Sequence, residues 1–395
     1  MNSYFGSIHF GLEEASILLV TVFLCFAVLN STGSILNRRA RKDMRQTQRA
    51  HSVATPRLGG AVMFTAVVMS SVFVDGFFGG RYAKFALAML PMISVALWED
   101  MLRPTSPQTR LSATLASCFL TVMTLQVWFP GLDVALLDPW MTGAVGVLIT
   151  VAFVTASVNG FNMVDGMNGL CAGIALAAFL SLHMIAGAVG HHFIAHITLT
   201  LAVAVGAFLL FNFPNARIFL GDTGSYVMGY VIAWFGVSLA YWFDDVSSWA
   251  IFLIVAYPLS ELALTVSRRL LSGHSPFRPD TRHTHHLVLL LLRQMTSYGK
   301  PLPWQNPAAT LLILPFALAP MVPAVLFFDS PGILQALTIS YGVAIACIYV
   351  GLVVLTRQLG RTSTLDTGIE GHTPVNAPVT DTSCSTGVTR QKKVA

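Results

Sequence analysis

Charged residues are scarce in this chain: Asp, Glu, Lys and Arg make up 10% of its 395 residues, while 54% are hydrophobic. Soluble domains carry about 25% charged residues, so an assembly of soluble domains is excluded and a polytopic membrane protein is expected. Paired cysteines are missing as well. The five cysteines (Cys25, Cys118, Cys171, Cys347, Cys384) are scattered, four lie in apolar runs and none forms a CxxC pair, which excludes a disulfide framework and a thiolate metal site. No repeat of fixed period occurs. No Lys or Arg precedes the first apolar run, where Glu13 and Glu14 stand instead, and its basic cluster follows it. That order is opposite to a secretory signal peptide, so the segment is expected to stay, with the N-terminus outside.

What is present in quantity is apolar sequence. Runs long enough to cross a bilayer as helices lie at approximately 14–36, 59–78, 83–98, 111–130, 142–160, 168–188, 193–211, 223–243, 247–267, 307–328 and 333–356. The predicted fold class is therefore all-α, a polytopic membrane protein of about eleven transmembrane helices with a cytosolic C-terminus. Alternating from the N-terminus, only Arg81 and Lys84 of the 23 Lys and Arg fall outside. The positive-inside rule thus supports both the orientation and the count. It also explains the net charge of +5 without a nucleic-acid partner, and none is expected. Residues 1–356 read as one transmembrane domain. Residues 357–395, rich in Thr, Ser, Gly and Val, read as a disordered cytosolic tail.

With sides assigned, the polar residues collect at inside helix ends. The groups are Pro56 to Gly60 (PRLGG), Glu99-Asp100, Asn159 to Leu170 (NGFNMVDGMNGL), Asn212 to Ser225 (NFPNARIFLGDTGS) and Asp280 to His286 (DTRHTHH). Asn159, Asn162 and Asp165, at i, i+3 and i+6, share about a third of a helix circumference, so two amides and a carboxylate point into one cleft. A helix cap is the plain alternative, yet a cap needs one such residue, not three. Gly221-Asp222 opens a turn in which free N–H groups and small residues admit a phosphate and the Asp can hold Mg²⁺. Glu99-Asp100 marks a membrane boundary, holds a divalent cation or accepts the proton of a phosphate. His283, His285 and His286 lack the spacing of a zinc site and, with Arg278 and Arg282, suit phosphate instead. Oxygen donors, Gly-rich turns and basic groups near lipid headgroups together favour Mg²⁺ with a diphosphate ligand, and hence phosphotransfer to or from a membrane lipid.

These motifs resemble the polyprenyl-phosphate N-acetylhexosamine 1-phosphate transferase family, by motif from about Asp43 to His286. Thr55 to Gly60 looks like its PRxGG element, preceded by His51, and Glu99-Asp100 stands at its Asp-Asp pair. Asn159 to Leu170 and Asn212 to Ser225 are similar to its NxxNxxDGxxGL and NxxPAxxFxGDxGS elements. His283, His285 and His286 stand at its His loop. The resemblance implies that a polyprenyl (undecaprenyl) phosphate attacks the β-phosphate of a UDP-sugar, releasing UMP. It also implies an active site at the cytosolic face of the inner membrane, and it leaves a homodimer open. Under it, Asp165, Asp100 and Glu99 are the candidate catalytic carboxylates, the last two toward the lipid phosphate. Asn159, Asn162, Arg217, Arg282, His283, His285, His286 and His51 are the candidate substrate ligands. Asp222 and Asn162 would hold Mg²⁺, or Mn²⁺ in its place.

Glu99, Asn168 and Glu261 depart from the family, where Asp is usual or common. Asn168 lacks the charge and receives no catalytic role. Glu-Asp in place of Asp-Asp looks like the branch that starts O-antigen or other surface polysaccharides, with an N-acetylglucosamine-type sugar. The phospho-N-acetylmuramoyl-pentapeptide transferases of peptidoglycan synthesis are the alternative, and a cation-coupled transporter or an inactive glycan-binding relative are the readings from other classes.

Overall fold

In a bilayer, a backbone with no water to bond must close its hydrogen bonds within each segment, so long apolar runs become helices. A computed structural model describes residues 12–30, 55–75, 80–273, 275, 282–297 and 302–366, and among them the regular structure is helical throughout, with no strand. The helices are α1 (Leu12–Asn30), α2 (Gly59–Asp75), α3 (Arg81–Ala88), α4 (Leu90–Met101), α5 (Pro107–Leu125), α6 (Gly143–Val164), α7 (Leu170–Ala188) and α8 (His192–Asn212). They continue with α9 (Gly221–Trp242), α10 (Ser248–Ile254), α11 (Ala256–Leu271), α12 (Thr284–Ser297), α13 (Gln305–Leu318), α14 (Met321–Leu326) and α15 (Pro331–Asp366).

Each predicted span falls on one of these helices or on a broken pair. Six are long and apolar enough to cross a membrane, or up to 8 if each bent pair is one span. Length and composition thus make the protein multi-spanning but do not establish eleven crossings. The shortfall has identifiable sources: the described parts of α1 and α2 are short apolar helices, α3 and α4 meet at 43°, α10 and α11 meet at 75°, and α5, which carries the predicted span 111–130, is not among the candidates. Pro91 and Pro258 sit in the first turn of the second piece of each pair, where a missing N–H leaves no bond unmade. α15 continues to Asp366, beyond residue 356 where the tail was expected to start. An apolar run ends at the membrane boundary, whereas a helix can continue past it, and residues 367–395 of the expected tail lie outside the described residues.

The bundle is organised around α9, which packs on α2, α4, α6 and α7. All of its 18-residue apolar window is buried, against 6% for that of α15, so α9 is the axis and α15 a rim. Tyr230 fastens α5 to α9, its hydroxyl donating to the Ser117 carbonyl (2.8 Å) and paired with the Thr121 hydroxyl (2.6 Å). Away from the motifs, acids do structural work. Asp133 Oδ2 accepts from the Ser247 hydroxyl (2.6 Å) and the Ser248 N–H (3.1 Å), holding the start of α10.

Candidate active site

The polar motifs meet where the end of α4, the start of α5, the end of α6 and the start of α9 converge. Ser106 caps α5, its hydroxyl accepting from the Thr109 N–H (3.1 Å), and Pro107 follows at the first helical position. This start places Arg110 on the first turn, facing inward. PRLGG and the turn before α9 are joined through the backbone: Gly59 and Gly60 donate to the carbonyls of Phe219 (3.0 Å) and Leu220 (2.7 Å), and Phe219 donates to Pro56 (2.9 Å). Asn212 ties the same loop to the end of the NGL turn, accepting from the Gly169 N–H (2.7 Å) and donating to the Ile218 carbonyl (2.8 Å).

Three aspartates are gathered there. Asp100, 4% exposed, accepts from the N–H groups of Asp222 (3.1 Å) and Thr223 (2.8 Å) and from the Thr223 hydroxyl (2.7 Å). It therefore caps the start of α9 instead of facing open space. Gly221 makes that approach possible: its φ is +76°, and a Cβ there would lie 2.8 Å from Asp100 Oδ2. Asp222 Oδ1 accepts from Asn162 Nδ2 (3.1 Å) and Oδ2 from Arg110 Nη1 (3.2 Å). Asn162 Nδ2 also reaches Ser225 Oγ (3.2 Å), and Arg110 Nη1 reaches Glu99 Oε1 at 3.5 Å. Glu99 Oε2 accepts from the Thr105 hydroxyl. Asp165 follows α6 and is half-buried; burial and then Asp222 push its carboxyl well above the usual carboxylate range, against the pull of Arg57 and the Gly221 N–H. A proton-hungry carboxyl thus stands beside an ion-paired one.

A basic wall faces this floor. A cavity of about 930 Å³ is lined by Arg110, Asn159, Asn162 and Asp165 on one side and by Arg269, His283, His285 and His286 on the other. Leu111, Leu115, Ala152, Ala156, Leu262 and Val266 complete it with an apolar strip. His285 is 0% exposed and neither ring nitrogen has a hydrogen-bond partner. Burial, with His286 and His283 nearby, holds its pKa well below the usual imidazole range, so it stays neutral. A Cβ on Gly166 would lie 2.4 Å from His285 Nε2, so wall and floor touch at that glycine. Asn159 lines the cavity while its amide donates to the Thr155 carbonyl of its own helix (2.8 Å).

The structure therefore brings Asp165, Asp222, Asn159, Asn162, Glu99, His283, His285 and His286 to one end of the bundle, with Asp100 behind them as a cap. Two expected ligands fall elsewhere. Arg217 is exposed and absent from the cavity lining, because the loop turns outward where its N–H closes on the Phe211 carbonyl (2.8 Å). Arg282 is also exposed and outside the lining, its carbonyl accepting from Arg268 Nη1 (3.2 Å). His51 lies outside the described residues. Arg110 and Arg269 had no assigned role from sequence. Their signals were the fourth position after the Ser106 cap and the i, i+4, i+8 spacing of Glu261, Thr265 and Arg269 on α11.

Among the described residues, no group of three or more His, Cys, Asp or Glu side chains could hold a metal ion unaided. The donor set fits a hard cation that brings other ligands. Mg²⁺ takes one or two carboxylates and completes its shell with water and phosphate oxygens; Asp165 and Asn162 line the cavity, and Asp222 is hydrogen-bonded to the Asn162 amide (3.1 Å).

The family model described as glycosyl transferase family 4 matches residues 82–240, which include α4 through α9 and their motifs. An undecaprenyl-phosphate alpha-N-acetylglucosaminyl 1-phosphate transferase of Thermotoga maritima is 29% identical over 260 residues, 64% of this chain and 76% of that protein. The protein of the same name from Escherichia coli K12 is 25% identical over 283 residues, 69% of this chain and 74% of that protein. A decaprenyl-phosphate N-acetylglucosaminephosphotransferase of Mycobacterium tuberculosis is 30% identical over 273 residues, covering 60% and 66% of the two chains.

Proposed function

The chain belongs to glycosyl transferase family 4, and on that premise we propose that it transfers N-acetylhexosamine 1-phosphate from a UDP-sugar to a polyprenyl phosphate at the cytosolic face of a bacterial inner membrane. Membership and the multi-spanning helices make it a membrane enzyme that moves a sugar phosphate to a lipid phosphate. The donor, the face, the metal and the pathway are the finer parts of the proposal. One observation carries it: Asp165, with Asp222 close behind it, shares with His283 and Arg269 a cavity that also has an apolar strip. A diphosphate needs the first two features and a polyprenyl chain the third.

In the reaction, an oxygen of the lipid phosphate attacks the β-phosphorus of the UDP-sugar, the bond from that phosphorus to the bridging oxygen breaks, and UMP departs. Asp165, with its raised proton affinity, takes the proton of the attacking phosphate. His283 and Arg269 neutralise the equatorial phosphate oxygens, and Arg110 fixes Asp222 and Glu99 in place. Asp100 positions the α9 turn and so acts through Asp222. A Mg²⁺ held by Asp222 and Asn162 would supply charge neutralisation on the diphosphate. The product is the sugar-pyrophosphoryl lipid from which O-antigen or another envelope polysaccharide starts. The transporter reading loses support, since transport sites gather near the midplane on broken helices and these carboxylates sit at helix ends.

The test incubates purified protein with labelled UDP-N-acetylglucosamine, undecaprenyl phosphate and Mg²⁺. UMP and a lipid-linked sugar pyrophosphate are expected. No UMP from any UDP-N-acetylhexosamine would reject the proposal.

A further inference from the structure

Glu261 is a carboxylate that the reaction above leaves unused, and it is 1% exposed. A buried charge is costly unless it is paired. Among the described residues no Lys or Arg side chain forms an ion pair with it. Its Oε2 accepts from the Thr284 N–H at the start of α12 (3.3 Å) and lies 3.7 Å from His283 Nδ1, while Oε1 has no hydrogen-bond partner. Tyr257 and Tyr341 are its other polar neighbours. Among the described residues, the imidazole of His283 is the basic side chain nearest to it.

His283 is placed accordingly. Nδ1 points back at α11, toward Glu261 and toward Thr265 Oγ1 (3.3 Å), and the ring lines the cavity. Since Glu261 and Thr265 are four residues apart on one helix face, they form a fixed seat for one ring edge. The opposite edge, with Nε2, is then the one turned to the cavity. His285 stacks at 5.5 Å and an angle of 2° to it yet has no such seat, which separates a seated imidazole from a bare one of nearly the same orientation.

We propose that Glu261 is the positioning residue for His283: its carboxylate faces Nδ1 and aims the opposite edge of the ring, with Nε2–H, at the phosphate oxygens of a nucleoside diphosphate. The arrangement is a carboxylate–histidine pair turned to anion binding. It rests on the reading of His283 as a diphosphate ligand. The charged and titratable groups that share the cavity with the ring are Arg269 on α11, His285 and His286 on α12, Asp165 after α6, Arg110 on α5 and Tyr226 on α9.

Two measurements on the full-length chain test it. In the UMP-release assay, Glu261→Gln should raise KM for the UDP-sugar by roughly tenfold or more, the size typical of losing a partner that orients a ligating imidazole, with a smaller change in kcat. His283→Gln should do the same, the double variant should be no worse than either, and Glu261→Asp, which keeps the charge, should lie nearer the parent protein. Unchanged KM in Glu261→Gln, or additive losses in the double variant, overturns the proposal. In the second measurement, ¹⁵N-histidine spectra are recorded in micelles, with His283 assigned by its loss in His283→Gln. The His283 Nδ1 resonance should shift in Glu261→Gln; an unchanged resonance overturns the proposal. A parent protein that releases no UMP defeats the proposed function alone, because the spectra still decide the role of Glu261.

Discussion

The acidic floor and the basic wall of the cavity are built by opposite means. On the floor, Asp100, Asp165 and Asp222 come from distant stretches of chain and each is satisfied by donors: backbone N–H groups, the Asn162 amide or the Arg110 guanidinium. On the wall, His283 rests on one carboxylate and one hydroxyl, and His285 has no partner for either nitrogen. Like charges repel at close range, so carboxylates assemble only where the fold supplies donors beforehand. Cations meant for an anionic ligand need the reverse, with donor capacity left over for the phosphate oxygens. The floor is an architectural unit with one reactive corner, and the wall presents basic side chains to the cavity.

The largest effect should come from breaking the reactive corner. Asp222→Asn keeps size and an acceptor oxygen but removes the charge between Arg110 and Asn162. UMP release should drop by roughly a thousandfold, comparable to losing a key electrostatic group in a preorganised site, while helical content and melting temperature in detergent stay near the parent values. Activity within about tenfold of the parent would make Asp222 architecture and erase the distinction between floor and corner.

A smaller effect should separate floor from wall by their glycines. At Gly221 (φ +76°), an Ala Cβ would lie 2.8 Å from Asp100 Oδ2, whereas Gly273 (φ +67°), after α11, has nothing within 4 Å of that position among the described residues. Gly221→Ala meets both left-handed strain and a clash, for a cost of about 3 kcal/mol, and Gly273→Ala meets the strain alone, about 1 kcal/mol. Melting temperature compares them directly. Equal shifts would mean that the α9 turn gives way easily and that Asp100 does not hold it tightly.

Much of this was legible in sequence, for physical reasons that also mark the limit. The helices were readable because an apolar run has one way to cross a bilayer, and every predicted span lies on a helix or a broken pair. Asn159 and Asn162 were readable because their i, i+3 spacing on α6 sets local direction, and Asp222 because of the Gly-Asp turn, whereas Asp165 lies just past the end of that helix. Asp100 was readable as a member of the site but not as a cap, since its partners are N–H groups 122 and 123 residues away. Arg217 and Arg282 were drawn in by charge and motif position, yet a loop backbone decides where such side chains go, and here it turns both outward. Glu261 was visible only as a departure from a pattern. Its approach to His283 bridges 22 positions of chain.

The smallest predicted effect concerns Asn168, where the family often has Asp. Its Nδ2 donates to the Pro214 carbonyl (2.7 Å), and its backbone N–H and carbonyl bond Asn306 Oδ1 (3.0 Å) and the Thr310 hydroxyl (2.8 Å). The residue is 5% exposed and its side chain ties the turn after Asp165 to the loop before α9, away from the cavity lining. Asn168→Asp replaces a donor with a lone pair facing a carbonyl, which costs about 1–2 kcal/mol. The melting temperature should fall by a few degrees, while turnover measured well below the midpoint stays close to that of the parent. A gain in turnover would mean that a carboxylate at this position reaches the diphosphate, and that the floor does not end at Asp165 and Asp222.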